Sequence, residues 1–261
     1  MSDTSIPDSH GPRIALIPGG SRGLGRNTAL HLARAGIDSV LTYRSNKQEA
    51  EAAVAEIEAE GRKAAILQLD TGDTSAFPGF VAALKRVLDA TWGRETLDII
   101  VNNAGHGLYK PFAETTEEEF DGLMNVHLKG VFFLTQGLLP VIVDGGRIVN
   151  ISSGLARFSF PGSSAYGSMK GAIETLTRYM ARELGERRIA VNALAPGAIE
   201  TDFGGGRVRD NADINKQVAS VTAMGRVGLP DDIGAAIAAL VSEGNVWMTG
   251  QRIEVSGGMM L

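Results

Sequence analysis

The chain has 261 residues, 44% of them hydrophobic, with 33 Gly, 9 Pro, no Cys and a formal net charge of -5 at pH 7. That length and apolar content provide a sizeable core for one large α/β domain or two small ones, and the glycines suit tight turns and close backbone approaches. The absence of Cys excludes disulfides, thiol nucleophiles and thiolate metal sites, and an acidic balance with no Lys/Arg block argues against nucleic acid or an anionic membrane as a partner.

Residues 1–12 read as a flexible polar tail without the apolar centre of a signal peptide. No apolar run approaches the ~20 residues of a spanning helix, so a soluble, cytoplasmic protein is expected. The run Ile14–Ile17 is short and wholly apolar, as in a parallel strand covered on both faces. It ends in Pro18-Gly19-Gly20-Ser21-Arg22-Gly23-Leu24-Gly25, from which a helical pattern runs over 24–35. Strand, Gly-rich turn and helix form a pyrophosphate cradle. Glycines at 19, 23 and 25 allow the backbone to approach phosphate, and the helix N-terminus offers free N–H groups. The spacing is G-x-x-x-G-x-G, not the general G-x-G-x-x-G.

The second strand, 39–43, should end facing the adenosine ribose, where an NAD enzyme usually places Asp or Glu. Here Thr42-Tyr43-Arg44-Ser45-Asn46 holds no carboxylate, and Arg44 with Arg22 could bracket a 2′-phosphate, so NADP(H) is favoured over NAD(H). An Ala/Glu-rich helix follows over 46–61, then a strand over 63–69 closing on Asp70-Thr71. A helix over 74–92 has Pro78 in its first turn, and a strand over 97–101 runs into Asn102-Asn103-Ala104-Gly105.

One long helix is expected over 117–143, its Val131-Phe132-Phe133-Leu134 too apolar for a solvent-facing surface. A fifth strand, 147–151, delivers Ser152-Ser153 at its carboxyl end, where such sheets place their chemistry. A helix over 165–184 and a strand over 189–194 lead to Ala195-Pro196-Gly197-Ala198-Ile199-Glu200-Thr201. Residues 200–224, with Gly204-Gly205-Gly206, mixed charge and little periodicity, read as a mobile substrate lid. A helix over 231–241 and a strand over 252–255 complete the pattern. The alternation predicts an α/β fold in one domain over 13–261: a doubly wound parallel sheet of about seven strands with helices on both faces.

On the helix over 165–184, Tyr166 and Lys170 stand four residues apart, so phenol and ammonium share one face. A free Tyr titrates near ~10, and a unit charge ~4 Å away at an effective dielectric of ~20 is worth roughly 4 kcal/mol, about three pKa units. A phenol that trades protons near neutrality is therefore expected. The spacing alone is common on amphipathic helices; Ser153 and the glycine cradle give it weight. His10, His31, His106 and His127 show no metal-ligand spacing, and no metal is expected.

Taken together, these motifs resemble the short-chain dehydrogenase/reductase family from residue 13 to 258, in its ketoacyl-carrier-protein-reductase-like subgroup. The resemblance rests on the three cradle glycines, Asp70, Asn102-Asn103-Ala104-Gly105, Ser153, Tyr166-x-x-x-Lys170, Pro196-Gly197 and Val255-Ser256-Gly257-Gly258, all in family order. It implies a Rossmann-type sheet of order 3-2-1-4-5-6-7 and hydride transfer between nicotinamide and a ketone or secondary alcohol. Tyr166 would be the proton donor, Lys170 would lower its pKa and hold the nicotinamide ribose, and Ser153 would polarise the carbonyl. Gly19, Ser21, Arg22, Gly23, Leu24, Gly25, Arg44 and Ser45 would hold the phosphates and adenosine end. Asp70 and Thr71 would lie near the adenine, Asn103, Ala104 and Gly105 along the ribose, and Pro196, Gly197, Ile199 and Thr201 at the carboxamide end.

Two positions depart from the family pattern. Pro18 stands where most members have a Thr whose hydroxyl ties the turn to the neighbouring strand, so the loop should be held by φ restriction instead. His127 stands where the family's fourth catalytic residue is Asn, whose main-chain carbonyl holds a water on a proton path to the Lys. Three readings stand for His127: its carbonyl serves, its imidazole shuttles protons, or it is structural. His106, Leu155, Phe158, Phe160, Phe203 and Met248 flank the motifs and are candidates for an apolar substrate pocket. A homotetramer is expected, with the apolar long helix and the last strand as contact surfaces. The alternative to an enzyme is a dinucleotide-sensing binding protein on the same fold, for which the retained Ser153, Tyr166 and Lys170 would be superfluous.

Overall fold

Successive residues of the first strand feed two different cores. Ile14 and Leu16 pack with Val40, Leu84, Leu88, Ile100 and Leu134, while Ala15 and Ile17 pack with Leu32, Leu41, Ile57, Ile99 and Ile237. That is the signature of a strand with helices on both faces, and it explains why the strand shows no polar alternation. The computed structural model describes residues 11–261. Of the tail expected over 1–12, all but Gly11 and Pro12 lies outside the described residues.

Seven strands form one sheet in the order β3-β2-β1-β4-β5-β6-β7: β1 Ile14–Ile17, β2 Asp38–Tyr43, β3 Ala64–Gln68, β4 Leu97–Asn102, β5 Ile142–Ile151, β6 Ala190–Pro196 and β7 Arg252–Val255. Every pairing is parallel, with Ile14 opposite Asp38 on one side of the sheet and Ile151 opposite Leu194 on the other. The carboxyl ends of all seven strands therefore share one edge. That edge gathers the turn after β1, the Asn103 loop after β4, Ser153 after β5 and Gly197 after β6.

The helices are α1 Gly23–Arg34, α2 Lys47–Ala59, α3 Phe77–Trp92, α4 Glu117–Met124, α5 Gly130–Leu138, α6 Ser164–Glu183, α7 Arg207–Asp210, α8 Ala212–Ser220 and α9 Pro230–Leu240. Pro78 does lie in the first turn of α3, where a missing N–H costs nothing. Asp38 closes the lower end of the sheet. It is fully buried and accepts hydrogen bonds from Arg62 Nε at 2.7 Å, Lys63 N at 3.0 Å and Trp92 Nε1 at 2.8 Å, so its charge is compensated.

Two expectations are corrected. The single helix over 117–143 is instead α4 and α5 joined by a π-helical turn, Asn125–Lys129, in which the Gly130 N–H reaches back five residues to Asn125 O. It stops at Leu138 because Pro140 lacks an N–H and would clash with the preceding turn. The chain enters β5 at Ile142, and a register shift between Leu97 and Ile99 of the neighbouring strand absorbs the Gly145-Gly146 bend. Residues 200–224, in which the sequence shows little periodicity, carry α7 and α8. Asn211 caps α8 by accepting from Asp213 N and Ile214 N. Among the described residues no helix is long and apolar enough to cross a membrane, and no cluster of three or more His, Asp or Glu is set to hold a metal.

Candidate active site

From the end of β5 the chain turns tightly through Gly154–Ala156 and lies against α6. Two glycines make this approach possible. A Cβ on Gly154 would stand 2.8 Å from the Phe158 ring, and one on Gly167 would stand 2.9 Å from the Leu155 carbonyl. The turn brings the Ser153 side chain beside the Tyr166 hydroxyl, and Ser153 Oγ accepts from Leu155 N at 3.2 Å. One helical turn on, Lys170 is buried beside them. Its Nζ donates to Ile151 O at 2.7 Å and lies 5.4 Å from the centre of the Tyr166 ring. Ser153, Tyr166 and Lys170 are thus brought together as the sequence predicts.

Their electrostatics differ from the expectation. Burial raises the pKa of the Tyr166 phenol above its ordinary value of 10, against a smaller opposing effect of the nearby Ser153 hydroxyl. Burial also pushes Lys170 down to about 7. The predicted lowering of Tyr166 by a nearby charge assumed a half-exposed pair. Both groups are instead in a low-dielectric interior, where desolvation outweighs the pair attraction and keeps each neutral more readily.

His127 sits on the π-helical turn, 1% exposed. Its ring packs edge-on to Tyr166 with centroids 5.3 Å apart. Nε2 lies 2.8 Å from His106 O and 3.2 Å from His106 N, so it meets the His106 backbone in either tautomer, and Nδ1 has no hydrogen-bond partner among the described residues. A Cβ on Gly105 would stand 2.6 Å from His127 Cε1, so this glycine lets the loop after β4 fold over the imidazole. Burial first, and then the Lys170 charge, lowers the His127 pKa to about 2. The imidazole is neutral throughout the physiological range. Consequently the pH profile of any His127→Asn variant should keep the wild-type shape between pH 6 and 9. A profile that lost a limb would restore the shuttle reading.

On the cofactor side, Gly19 has φ of +71°, and a Cβ there would stand 3.0 Å from Ala104 Cα. A Cβ on Gly25 would fall 2.3 Å from Gly19 O. Arg22, the N-cap of α1, makes no side-chain cap, and the first turn holds no acidic residue, which leaves the helix N–H groups open to an anion. At Gly23, φ +53°, the space where a side chain would stand is open. Ser21 is buried in the turn, and Leu24 packs into the core beside α9.

The expectation that Pro18 costs the loop its tie is corrected. The Gly19 N–H donates to Thr42 Oγ1 of β2 at 3.1 Å, and Asn103 Nδ2 donates to Gly19 O at 3.0 Å. The neighbouring strand supplies the hydroxyl that Pro18 lacks. Thr42 escaped the sequence reading, although a Thr near the end of an apolar strand adjoining the loop was the available signal.

Arg22, Arg44 and Ser45 are exposed, and neither arginine has a carboxylate partner among the described residues. Asp70 accepts from Gly72 N at 2.8 Å and frames the turn after β3, with Thr71 buried beneath it. Gly197 N donates to Val255 O at 3.0 Å, and Pro196 is buried in β6. Ile199 bridges Gly228, and Thr201 Oγ1 accepts from Phe203 N at 3.2 Å. The predicted dinucleotide residues thus line the carboxyl edge from β3 to β7.

One aromatic ring stands against the triad and two more lie beside the Ser153 turn. Phe203 lies 5.7 Å from the Tyr166 ring, and Phe158 and Phe160 pair edge-on at 5.7 Å. His106 lies beside His127, and Leu155 packs in the cluster under Tyr166. Met248 does not belong here. Its carbonyl accepts from Asn192 Nδ2 at 2.7 Å near the start of β6, and in a parallel sheet the segment entering β7 lies at the edge opposite the site. The sequence reading missed Tyr109, whose ring lies flat against Gly162 with the Arg207 guanidinium 4.7 Å above it. Its position in a loop leaving the carboxyl end of β4 was the signal.

This fold and this grouping define a dinucleotide-type sheet with a Ser-Tyr-Lys site at its carboxyl edge. The chain belongs to the short-chain dehydrogenase/reductase family: residues 19–260 match a family model described as enoyl-(acyl carrier protein) reductase. It is 35% identical to the hydroxynaphthalene reductase-like protein Arp2 of Metarhizium brunneum, over 98% of each chain. Among solved structures it is similar to the reductase LugOII, described as promiscuous and as catalysing keto-reduction at C1 in lugdunomycin biosynthesis. That match has 38% identity and a TM-score of 0.91, covering 97% of this chain and 99% of that one. It is also similar to the angucycline C-6 ketoreductase LanV, solved with bound NADP, with 35% identity, a TM-score of 0.91 and 96% coverage of both chains.

Proposed function

We propose that the protein is an NADP(H)-dependent oxidoreductase that transfers hydride between nicotinamide and a ketone or secondary alcohol. The observation that carries this reading is the grouping of Ser153 at the end of β5 with the buried Tyr166 and Lys170 of α6, on the same edge of the sheet as the glycine cradle. The cradle fits a dinucleotide. Gly19, Gly23 and Gly25 with the open end of α1 would take the pyrophosphate. Asn103, Gly105, Lys170 and Thr201 would hold the nicotinamide half, and Arg22 and Arg44 a 2′-phosphate. LanV's bound NADP supports that choice. The bound reduced cofactor supplies the hydride.

The residues of the chain do the rest. Ser153 and Tyr166 donate to the substrate oxygen, where negative charge develops, in a site with little water to compete. The raised pKa of Tyr166 keeps its proton in place until that charge appears, and Tyr166 then releases it to the alkoxide. Lys170, charged on the acid side of about 7, stabilises the resulting phenolate from one turn away. His127, neutral and fixed through His106, holds the Tyr166 ring by its edge and the 105–106 loop by its Nε2.

Phe203, Tyr109, Phe158 and Phe160 favour a flat, largely aromatic ketone, in keeping with the hydroxynaphthalene in the name of Arp2 and the keto-reduction described for LugOII and LanV. Residues 200–224 act as the lid over it. A cytoplasmic homotetramer is the form we propose, built through the exposed Phe132, Phe133 and Tyr179 and through Trp247 beside β7. The test is oxidation of NADPH and NADH with 1-tetralone, phenanthrenequinone, keto-esters and sugars. Turnover of an aryl ketone with NADPH at least about tenfold better than with NADH is expected. Consumption of neither cofactor with any ketone would reject the reading.

A further inference from the structure

The segment after β7 is tied down more firmly than its position requires. Residues 257–260 run beside 221–224. Met260 N donates to Val221 O at 2.9 Å, Ala223 N to Gly258 O at 3.2 Å and Met224 N to Gly257 O at 3.0 Å, and Thr222 faces Met259 across an antiparallel bridge. The course demands left-handed backbone at Gly257 and Gly258 and, at φ +57°, at Met260. A non-glycine residue persists there only where its surroundings hold it.

The group that holds it is Arg157, four residues beyond Ser153. Its Nη2 donates to Met259 O at 2.8 Å and its Nη1 to Met260 O at 3.0 Å, while Nε and Nη2 grip the Glu254 carboxylate at 2.8 Å each. Glu254 also accepts from Arg252 Nη1 at 2.8 Å and Ser256 Oγ at 2.9 Å. Arg252 in turn reaches Glu174 at 2.6 Å, one turn beyond Lys170, and the Ser153 carbonyl at 3.4 Å. A continuous hydrogen-bonded frame therefore joins the end of the 200–224 segment, the Ser153 turn and α6.

We propose that Arg157 is a positioning residue. By clamping the carbonyls of Met259 and Met260 onto Glu254, it makes residues 257–260 a strap that fixes the base of the lid relative to Ser153. The strap thereby sets the fit of the carbonyl substrate. This rests on the reductase reading for its effect on turnover, although the clamp itself does not. Two carbonyls and a carboxylate gripped at once require the planar fork of an Arg, which a Lys cannot supply.

The test compares wild type with Arg157→Ala, Arg157→Lys, deletion of residues 259–261, and that deletion combined with Arg157→Ala. Each is assayed with NADPH and 1-tetralone and by amide hydrogen exchange. Each variant is expected to raise the KM for the ketone about tenfold, with kcat changed less than about threefold and the KM for NADPH unchanged. The combined variant should be no worse than either part, because the two changes break one device. Amides of Ala223 and Met224 should exchange at least about tenfold faster in Arg157→Ala, with those of β5 unaffected. Unchanged protection at Ala223 and Met224 overturns the clamp. Additive effects, or a rise in the NADPH KM equal to that for the ketone, overturn the positioning role. If the wild type reduces no ketone, the reductase reading fails while the exchange result still decides the clamp.

Discussion

Replacing Tyr166 with Phe is expected to lower kcat for ketone reduction by about 1,000-fold while NADPH binding, followed by quenching of its fluorescence, changes little. The ring makes the packing contacts: it lies among Leu123, Ala165 and Met169, with His127 and Phe203 against it, and a Phe ring preserves all of these. What goes is the hydroxyl, and with it both the proton and one of the two donors aimed at the substrate oxygen. Ser153 remains but has no proton of comparable acidity to give, so the residual rate measures polarisation without proton transfer.

A second consequence separates the hydroxyl's chemistry from a folding defect. The folded pKa of Tyr166 lies above its unfolded value of 10. Its contribution to stability is complete below pH 10 and is lost as pH rises beyond it, because the unfolded tyrosine ionises while the buried one does not. Tyr166→Phe should therefore unfold less readily than wild type on the alkaline side and match it near neutrality. A variant that is inactive and also unstable at pH 7 would show that the hydroxyl is needed for packing, and the assignment of the proton donor would lose its support.

The central strands could be read because their apolar runs are short and end in Gly, Asn or Ser, whereas the first half of β5, Ile142–Gly146, carries Asp144 and two glycines and was not read as strand. The strand order followed from the resemblance, and the structure has the same order. The triad could be read for a similar reason: a strand end and a helical i, i+4 pair are local patterns. What escaped depended on contacts between segments distant in sequence. Thr42 acts through Gly19, 23 residues away, and Arg157 through Met259, 102 residues away. The break at Pro140 was visible in the sequence, but the helix was carried through it from the apolar run Val131-Phe132-Phe133-Leu134.

The pKa directions also escaped, because spacing gives the distance between Tyr166 and Lys170 but not the dielectric around them. Met248 was misplaced by nearness in sequence to the last motif. In a parallel sheet, the residues before a strand and those after it lie at opposite edges.

Replacing Lys170 with Met is expected to reduce kcat about 100-fold or more and to weaken NADPH binding, since a neutral side chain can neither stabilise a Tyr166 phenolate nor donate to a ribose hydroxyl. The same variant should change how stability depends on pH. The folded pKa of Lys170 lies near 7, below its ordinary value of 10.5, because its ammonium is desolvated. Between those two values the unfolded chain holds a proton that the folded chain has released, so stability rises with pH across this window, by up to about 1.4 kcal/mol per unit. Below about 7 the folded protein must carry the buried charge and the penalty is complete. Met at 170 carries no charge at any pH, so chemical denaturation at pH 7, 8 and 9 should give a nearly flat series where wild type climbs. Against this, Lys170→Met leaves the Ile151 carbonyl without its 2.7 Å donor, a cost of about 1–3 kcal/mol that does not vary with pH. The slope is therefore the informative quantity and the absolute stability is not. A wild-type series that is itself flat from pH 7 to 9 would mean that Lys170 keeps its proton in the folded protein. Its role would then be that of a permanent charge that lowers Tyr166, as the spacing alone suggests.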